Sequence, residues 1–261
     1  MESALIEQLG NELHAAWTDC RAIEPLTSRH LEIGVEDAYR IQQRMVGHRL
    51  DAGARVVGKK IGVTSQAVMD MLGVYQPDFG YLLSDMVVAP GEAVSMSRLV
   101  QPKAEGEIAF VLKKDLHGPG VTVSEVLAAT EAVTVCFEIV DSRIRDWKIK
   151  IQDTVADNAS CGVFVLGDRL VDPRGLDLRT CGMVFEKNGE LLNTGAGAAA
   201  LGHPANAVAW LANALGALGG SLAAGEIILS GALAAMTSVT AGDSLHMSIG
   251  GIGTCGVRFV A

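Results

Sequence analysis

Two glutamates two residues apart are the first sign of chemistry in this chain. In Lys103-Ala104-Glu105-Gly106-Glu107-Ile108-Ala109-Phe110-Val111, Glu105 and Glu107 stand at the entry to an apolar, strand-like run. Side chains at i and i+2 of a strand project from one face, so both carboxylates point the same way. Holding two like charges together on a half-buried sheet is costly unless a cation neutralises them. A third carboxylate, Glu138, lies inside Val135-Cys136-Phe137-Glu138-Ile139-Val140, where an ionised group needs a partner. An all-carboxylate donor set selects hard cations, Mg²⁺ or Mn²⁺. The six histidines are dispersed with none at ligand spacing, which weighs against zinc. The plainer alternative makes Glu105 and Glu107 a solvated edge and pairs Glu138 with an Arg or Lys.

Other polar groups stand near glycines or turns. In Gly58-Lys59-Lys60-Ile61-Gly62, one lysine could reach into a pocket, and a strand lets only one of the two look inward. The alternative is an edge-strand lysine pair that discourages aggregation. Gln76-Pro77-Asp78-Phe79-Gly80 reads locally as a Pro-Asp turn. Asp157-Asn158-Ala159-Ser160 precedes a strand; it is either a capped turn or a cradle whose amides and Ser160 hydroxyl hold a carboxylate. Asn193-Thr194-Gly195-Ala196-Gly197-Ala198 lacks the following Lys-Ser/Thr of a phosphate loop, and Ala200 stands where G-x-G-x-x-G needs its last glycine. No G-x-S-x-G nucleophile elbow occurs.

The elements that must position these groups follow from periodicity. Ile6, Leu9, Leu13, Ala16 and Trp17 recur at helical spacing, as do Val35, Ala38, Tyr39, Ile41, Met45 and Val46. Two amphipathic helices therefore open the chain. Arg55–Ile61 reads as a strand, and Thr64 or Ser65 caps a brief helix that Gly73 ends. Short strands then follow one another: Met86–Val88, Glu107–Leu112, Val133–Val140, Val163–Leu166, Met183–Glu186, Glu226–Leu229, Ser244–Ile249 and Val257–Val260. Asn188-Gly189 marks a tight hairpin. Two helices interrupt the strands, one with Ser124 as N-cap and one from Pro204 to about Leu218. The pattern predicts an α+β fold with mixed or mostly antiparallel sheets: a helical cap over 1–75 and a β-rich body over 76–261.

With 261 residues, 49% of them hydrophobic, the chain can bury a substantial core. Its net charge of −9 carries no Lys/Arg cluster, which denies a nucleic acid or an anionic membrane its electrostatic footing. Five scattered cysteines without C-x-x-C suit a reducing, cytoplasmic setting. Neither a signal peptide nor a membrane-spanning run is expected.

The same residues carry a resemblance to the fumarylacetoacetate hydrolase superfamily that runs almost end to end. Its most specific parts are GKKIGVT (58–64), LGVYQPDFG (72–80), PKAEGEIAF (102–110) and EIVDSRIRDWKIKIQDTVADNASCGVFVLG (138–167). GAGAAALGHP (195–204) and GEIILSG (225–231) agree further. The resemblance implies a mixed β-sheet roll with a smaller helical N-terminal region. It implies that Glu105, Glu107 and Glu138 bind Mg²⁺ or Mn²⁺, that Lys60 and Asp78 are catalytic, and that Ser160 contacts a substrate carboxylate. The activity implied is hydration of 2-hydroxypenta-2,4-dienoate, a small 2-oxo acid in its dienol form, during meta-cleavage of aromatic compounds. The alternatives are a 4-oxalocrotonate decarboxylase of the same fold, or a non-catalytic subunit of a complex between the two enzymes. Asp78 and the Asp146–Thr154 run favour the hydratase, because the decarboxylases generally have an apolar residue at the first position and lack the second. A homo-oligomer, able to associate with such a decarboxylase, is also implied.

Overall fold

The computed structural model describes residues 1–261, apart from the side chains at positions 67, 71 and 72. In chain order the elements begin with α1 (Ser3–Thr18), α2 (Leu26–Arg29), α3 (Val35–Asp51), β1 (Val56–Gly62), α4 (Gln66–Leu72) and β2 (Asp78–Leu83). Next come β3 (Val87–Val88), β4 (Ala93–Ser95), β5 (Pro102–Leu112), α5 (Val123–Ala129), β6 (Thr130–Asp141), α6 (Ile151–Ala156) and β7 (Cys161–Leu166). The chain closes with β8 (Gly182–Lys187), β9 (Glu190–Ala196), α7 (Pro204–Ala217), β10 (Ile227–Leu229), β11 (Thr237–Ser238), β12 (Ser244–Ile249) and β13 (Gly253–Val260).

The strands form two mixed sheets, as an α+β fold requires. The larger runs β2-β1-β10-β5-β6-β7-β3, with β11 also pairing β5; the smaller runs β4-β13-β12-β8-β9. β1 pairs parallel to β10, and β3 parallel to β7, while β5, β6 and β7 are antiparallel neighbours. Residues 56–62 thus enter the large sheet, and the N-terminal helices cap a sheet to which their own segment contributes.

Alternation along the central strands separates two environments. Ala104, Ile108 and Phe110 of β5, and Val135, Phe137 and Ile139 of β6, bury themselves against the small sheet and α7. Phe137 meets Phe185 of β8 edge-on, with ring centroids 5.2 Å apart. A Cβ at Gly106 would lie 2.4 Å from Met247 Sδ, so glycine is what allows this close approach between the sheets. The opposite face carries Glu105, Glu107 and Glu138 and looks toward the helical side of the molecule. There α1 and α3 pack through Leu9, Leu13, Ile41 and Met45 onto Ile149, Val155 and Ala156 around α6. Gln42 ties α3 to both neighbours, donating to the Phe79 and Val155 carbonyls at 2.9 Å each.

Several local expectations hold, and three need correction. Ser65 caps α4 and Gly73 ends it with φ 64°; Asn188 and Gly189 turn the β8–β9 hairpin with φ 55° and 84°. The cap of α5, however, is Thr122 and not Ser124. Its Oγ1 accepts from the Glu125 amide at 3.3 Å, and Glu125 takes the Thr122 amide in return at 2.8 Å, a reciprocal box that Ser124 has no acid to complete. Asp78 does not end in a Pro-Asp turn but opens β2, opposite Gly62. A third helix, α6, also interrupts the strands. At six residues it is too short for a helical period, and Asp153 anchors it by accepting from the Lys150 amide and from Thr27.

Candidate active site and metal centre

β5 and β6 lie in a register that sets Glu105 directly opposite Glu138. Like charges facing each other across a ladder repel, and Glu107 adds a third from the next position on that face. All three are buried, and each can offer a carboxylate oxygen such that the three atoms lie within 4.8 Å of one another. Protein donors do little for them. Glu107 Oε2 accepts from the Gly231 amide at 2.7 Å, but its Oε1 and both oxygens of Glu138 have no hydrogen-bond partner. Gly231 is held at φ 99° against Thr64, a backbone and a space open to glycine. Burial, reinforced by Glu138, pushes the Glu105 carboxyl up to about 7. The same causes, with Glu105 added, raise Glu107 well above the carboxylate range. Orphaned buried lone pairs call for an explanation, and a hard cation supplies it. The donor set fits one.

The neighbouring strand resolves the lysine pair. Lys59 Nζ lies 2.5 Å from Glu226 Oε1 on one side of β1, beneath Tyr81. Lys60, 2% exposed, turns to the other side. Its Nζ stands 3.1 Å from Glu138 Oε1, off hydrogen-bond alignment, so the contact is ionic and leaves the lone pairs unfilled. Burial would lower the Lys60 pKa, but Glu138, Asp78 and Glu105 override it and hold the ammonium charged. Asp78, 1% exposed, has no hydrogen-bond partner on either oxygen. Burial raises its pKa, against the opposing pull of Lys60.

Ser160 lies in a turn that only its surroundings can hold. Asn158, Ala159 and Ser160 all have positive φ, 54°, 50° and 52°, costly for residues with side chains. Asn158 pins the turn by exchanging two hydrogen bonds with the Tyr81 backbone, at 2.8 and 2.9 Å. Ser160 Oγ has only long contacts, 3.4 Å to Asp157 Oδ2 and 3.5 Å to Thr154 Oγ1. It lines a small cavity that also receives Lys60, Asp78 and Glu105.

All six expected residues are thus brought together, from β1, β2, β5, β6 and the 158–160 turn. Trp147, Ile149, Thr154 and Met236 also line the cavity. No periodic or charge signal singled these out. Trp147, Ile149 and Thr154 fall within the Asp146–Thr154 run, which carried a resemblance but no physical role of its own. Among the described residues no helix is long and apolar enough to cross a membrane.

Comparison with known proteins places the chain in a family. The profile of the fumarylacetoacetate (FAA) hydrolase C-terminal family matches residues 55–260. A 2-hydroxypent-2,4-dienoate hydratase of Pseudomonas putida is 67% identical over 220 residues, covering 84% of this chain and 99% of its own. A 2-hydroxyhexa-2,4-dienoate hydratase of Comamonas testosteroni is 57% identical over 260 residues, covering 99% and 98%. Among solved structures, 4-oxalocrotonate decarboxylase from Pseudomonas putida G7, complexed with magnesium and adipate, superimposes with a TM-score of 0.96 at 37% identity, covering 100% of this chain and 99% of that one.

Proposed function

This chain belongs to the fumarylacetoacetate hydrolase family, and from that premise we propose that it adds water to 2-hydroxypenta-2,4-dienoate to give 4-hydroxy-2-oxopentanoate, within meta-cleavage breakdown of aromatic compounds. One observation carries the reading: Glu105, Glu107 and Glu138 converge in the interior with oxygens left unpartnered beside Lys60. These three carboxylates would hold Mg²⁺ or Mn²⁺. Bound there, the cation supplies Lewis-acid stabilisation of charge developing on the substrate's C2 oxygen, a contribution of several kcal/mol.

The chain's own groups do the rest. Three carboxylates around a dication leave one net negative charge before an anionic substrate arrives, and the Lys60 ammonium offsets it. Lys60 then attracts the enolate oxygen or the substrate carboxylate. Asp78, buried beside Lys60 with its pKa raised by burial, is the group placed to exchange protons with the substrate. In its protonated form it would pass a proton to C5 while the C2 hydroxyl proton leaves to solvent, giving a conjugated 2-oxo-3-enoate. The resulting Asp78 carboxylate accepts a proton from the water that bonds to C4, and C3 takes a proton from solvent as the enolate collapses. Ser160 Oγ, loosely engaged in the protein, is free to donate to the substrate carboxylate.

A decarboxylase reading draws on the closely superimposable 4-oxalocrotonate enzyme. Against it, both hydratase relatives stand at higher identity, and Lys60 is the cation lining the cavity among the described residues. A cytoplasmic setting is inferred from five cysteines kept free. A homo-oligomer, with a decarboxylase relative as optional partner, is inferred from family resemblance, and sedimentation tests it. The reaction itself is tested by following the ultraviolet absorbance of 2-hydroxypenta-2,4-dienoate with and without EDTA. Chelator-sensitive decay to 4-hydroxy-2-oxopentanoate is expected; release of CO₂, or no decay, would overturn the reading.

A further inference from the structure

The bend before α6 is strained in a way that hydration chemistry alone does not explain. Asp146 and Trp147 are consecutive residues with left-handed backbones, φ 58° and 55°, a conformation L side chains resist. Gln101 holds the bend from the end of the loop leading into β5. Its amide donates to the Ser142 and Ile144 carbonyls at 2.9 Å each and accepts from the Asp146 amide at 2.7 Å. Its own carbonyl accepts the Trp147 indole N–H at 3.0 Å. The effect is to fix one aromatic ring against the cavity wall.

What that ring covers is a charge. Lys103 stands two residues before Glu105 on β5, and alternation sets it on the same face as the carboxylate triad. Its ammonium lies over the Trp147 ring, 4.4 Å from the centroid, a favourable cation–π placement. Trp147 lines the cavity together with Val68, Ile149 and Met236, whereas Lys103 does not. A second cation therefore sits at the border of the site, behind an indole.

We propose that Trp147 is a specificity-determining residue: by screening Lys103 from the cavity it keeps the wall apolar for the substrate's remote end and refuses substrates with a second carboxylate there. A carboxylate pressed against an indole and aliphatic side chains loses its water and gains no donor, while a hydrogen or methyl group loses nothing. Gln101 is the positioning residue that fixes the ring. The proposal rests on the hydratase reading, which it deepens by assigning the end of the substrate that is read.

The test uses Mn²⁺-loaded full-length protein and two probes, 2-oxopentanoate and 2-oxohexanedioate, with binding followed by calorimetry. Wild type is expected to favour the monoacid. Trp147→Gly, which suits the left-handed backbone, should shift the binding ratio toward the diacid by on the order of tenfold. Adding Lys103→Met to that variant should return the ratio to the monoacid. Should the glycine variant fail to fold, Trp147→Ala removes the ring at the same backbone strain and gives the same reading. An unmoved ratio, or a gain of diacid binding that survives Lys103→Met, would overturn the proposal. Turnover of the dienol is measured in parallel. A shifted ratio without wild-type turnover removes the hydratase reading and leaves the role of Trp147 standing; turnover with an unmoved ratio does the reverse.

Discussion

Two buried ionic clusters share the same side of the large sheet, and they are built on opposite terms. Around Arg143, which is fully buried, every arm of the guanidinium is engaged. Nε donates to Asp157 Oδ1 and Nη2 to the Asp157 carbonyl, both at 2.6 Å, while Nη1 reaches the Cys161 and Asp141 carbonyls. Asp157 Oδ2 takes the Arg143 amide at 2.9 Å, and Asp141 takes the amides of Val100 and Gln101. Around Lys60 the opposite holds: Glu105, Glu107, Glu138 and Asp78 crowd one ammonium, and oxygens on three of the four find no donor. The first cluster is complete within the protein, and fixes the strained turn that carries Ser160. The second is complete only with a ligand. Burial alone does not separate structural from functional charge; satisfaction of lone pairs does.

The largest effect should come from breaking the complete cluster. Asp157→Ala leaves Arg143 buried without its counter-ion and should cost about 3–5 kcal/mol of stability in urea unfolding. The incomplete cluster should respond with the opposite sign. Glu107→Gln removes one of three mutually repelling carboxylates, so the metal-free protein should melt higher than wild type, while Mn²⁺ affinity and turnover fall by on the order of a hundredfold or more. A Glu107→Gln protein that melts lower would break the comparison.

A smaller, graded effect should appear with pH. In the metal-free protein the Glu105 carboxyl is pushed up to about 7 by burial and Glu138, from an ordinary value of 4.5, and Glu107 is raised well above the carboxylate range by burial, Glu138 and Glu105. Raised carboxyls favour the folded state below their unfolded values, and that advantage is lost as pH rises through their folded ones. Chelator-treated protein should therefore lose thermal stability as pH rises from about 4.5 through 7, by up to about 1.4 kcal/mol per pH unit for each proton concerned. Saturating Mn²⁺, which binds the deprotonated groups, should flatten or reverse that slope. The smallest effect belongs to neither cluster. Asp172 and Arg174 form an exposed ion pair, and Asp172→Asn should leave the melting temperature where it is.

Much of this contrast was legible in the residues, and the exceptions have physical reasons. Glu105 and Glu107 could be assigned to one face because strand alternation is rigid, and Glu138 stood out as an acid in an apolar run. The same alternation could not choose between Lys59 and Lys60, since either phase of a two-residue period is allowed. That choice is made by Glu226, 167 positions away. Asp78 resembled a turn residue because Pro77 precedes it, yet pairing with β1 draws it into a strand. Trp147 gave no periodic or charge signal because its bend is made by a side-chain clamp from Gln101, with neither glycine nor proline to mark it. Residue type alone does not separate Thr122 from Ser124 as a cap; Glu125, three residues after Thr122, completes the reciprocal box that does.

Three carboxylates that need a cation give up protons to receive it. Calorimetric titration of chelator-treated protein with MnCl₂, repeated near pH 7 in buffers of different ionisation enthalpy, tests this most directly. One ion per chain is predicted, bound with net proton release, and largely lost in Glu107→Gln. Absence of binding, or binding that releases no protons and survives Glu107→Gln, would contradict it.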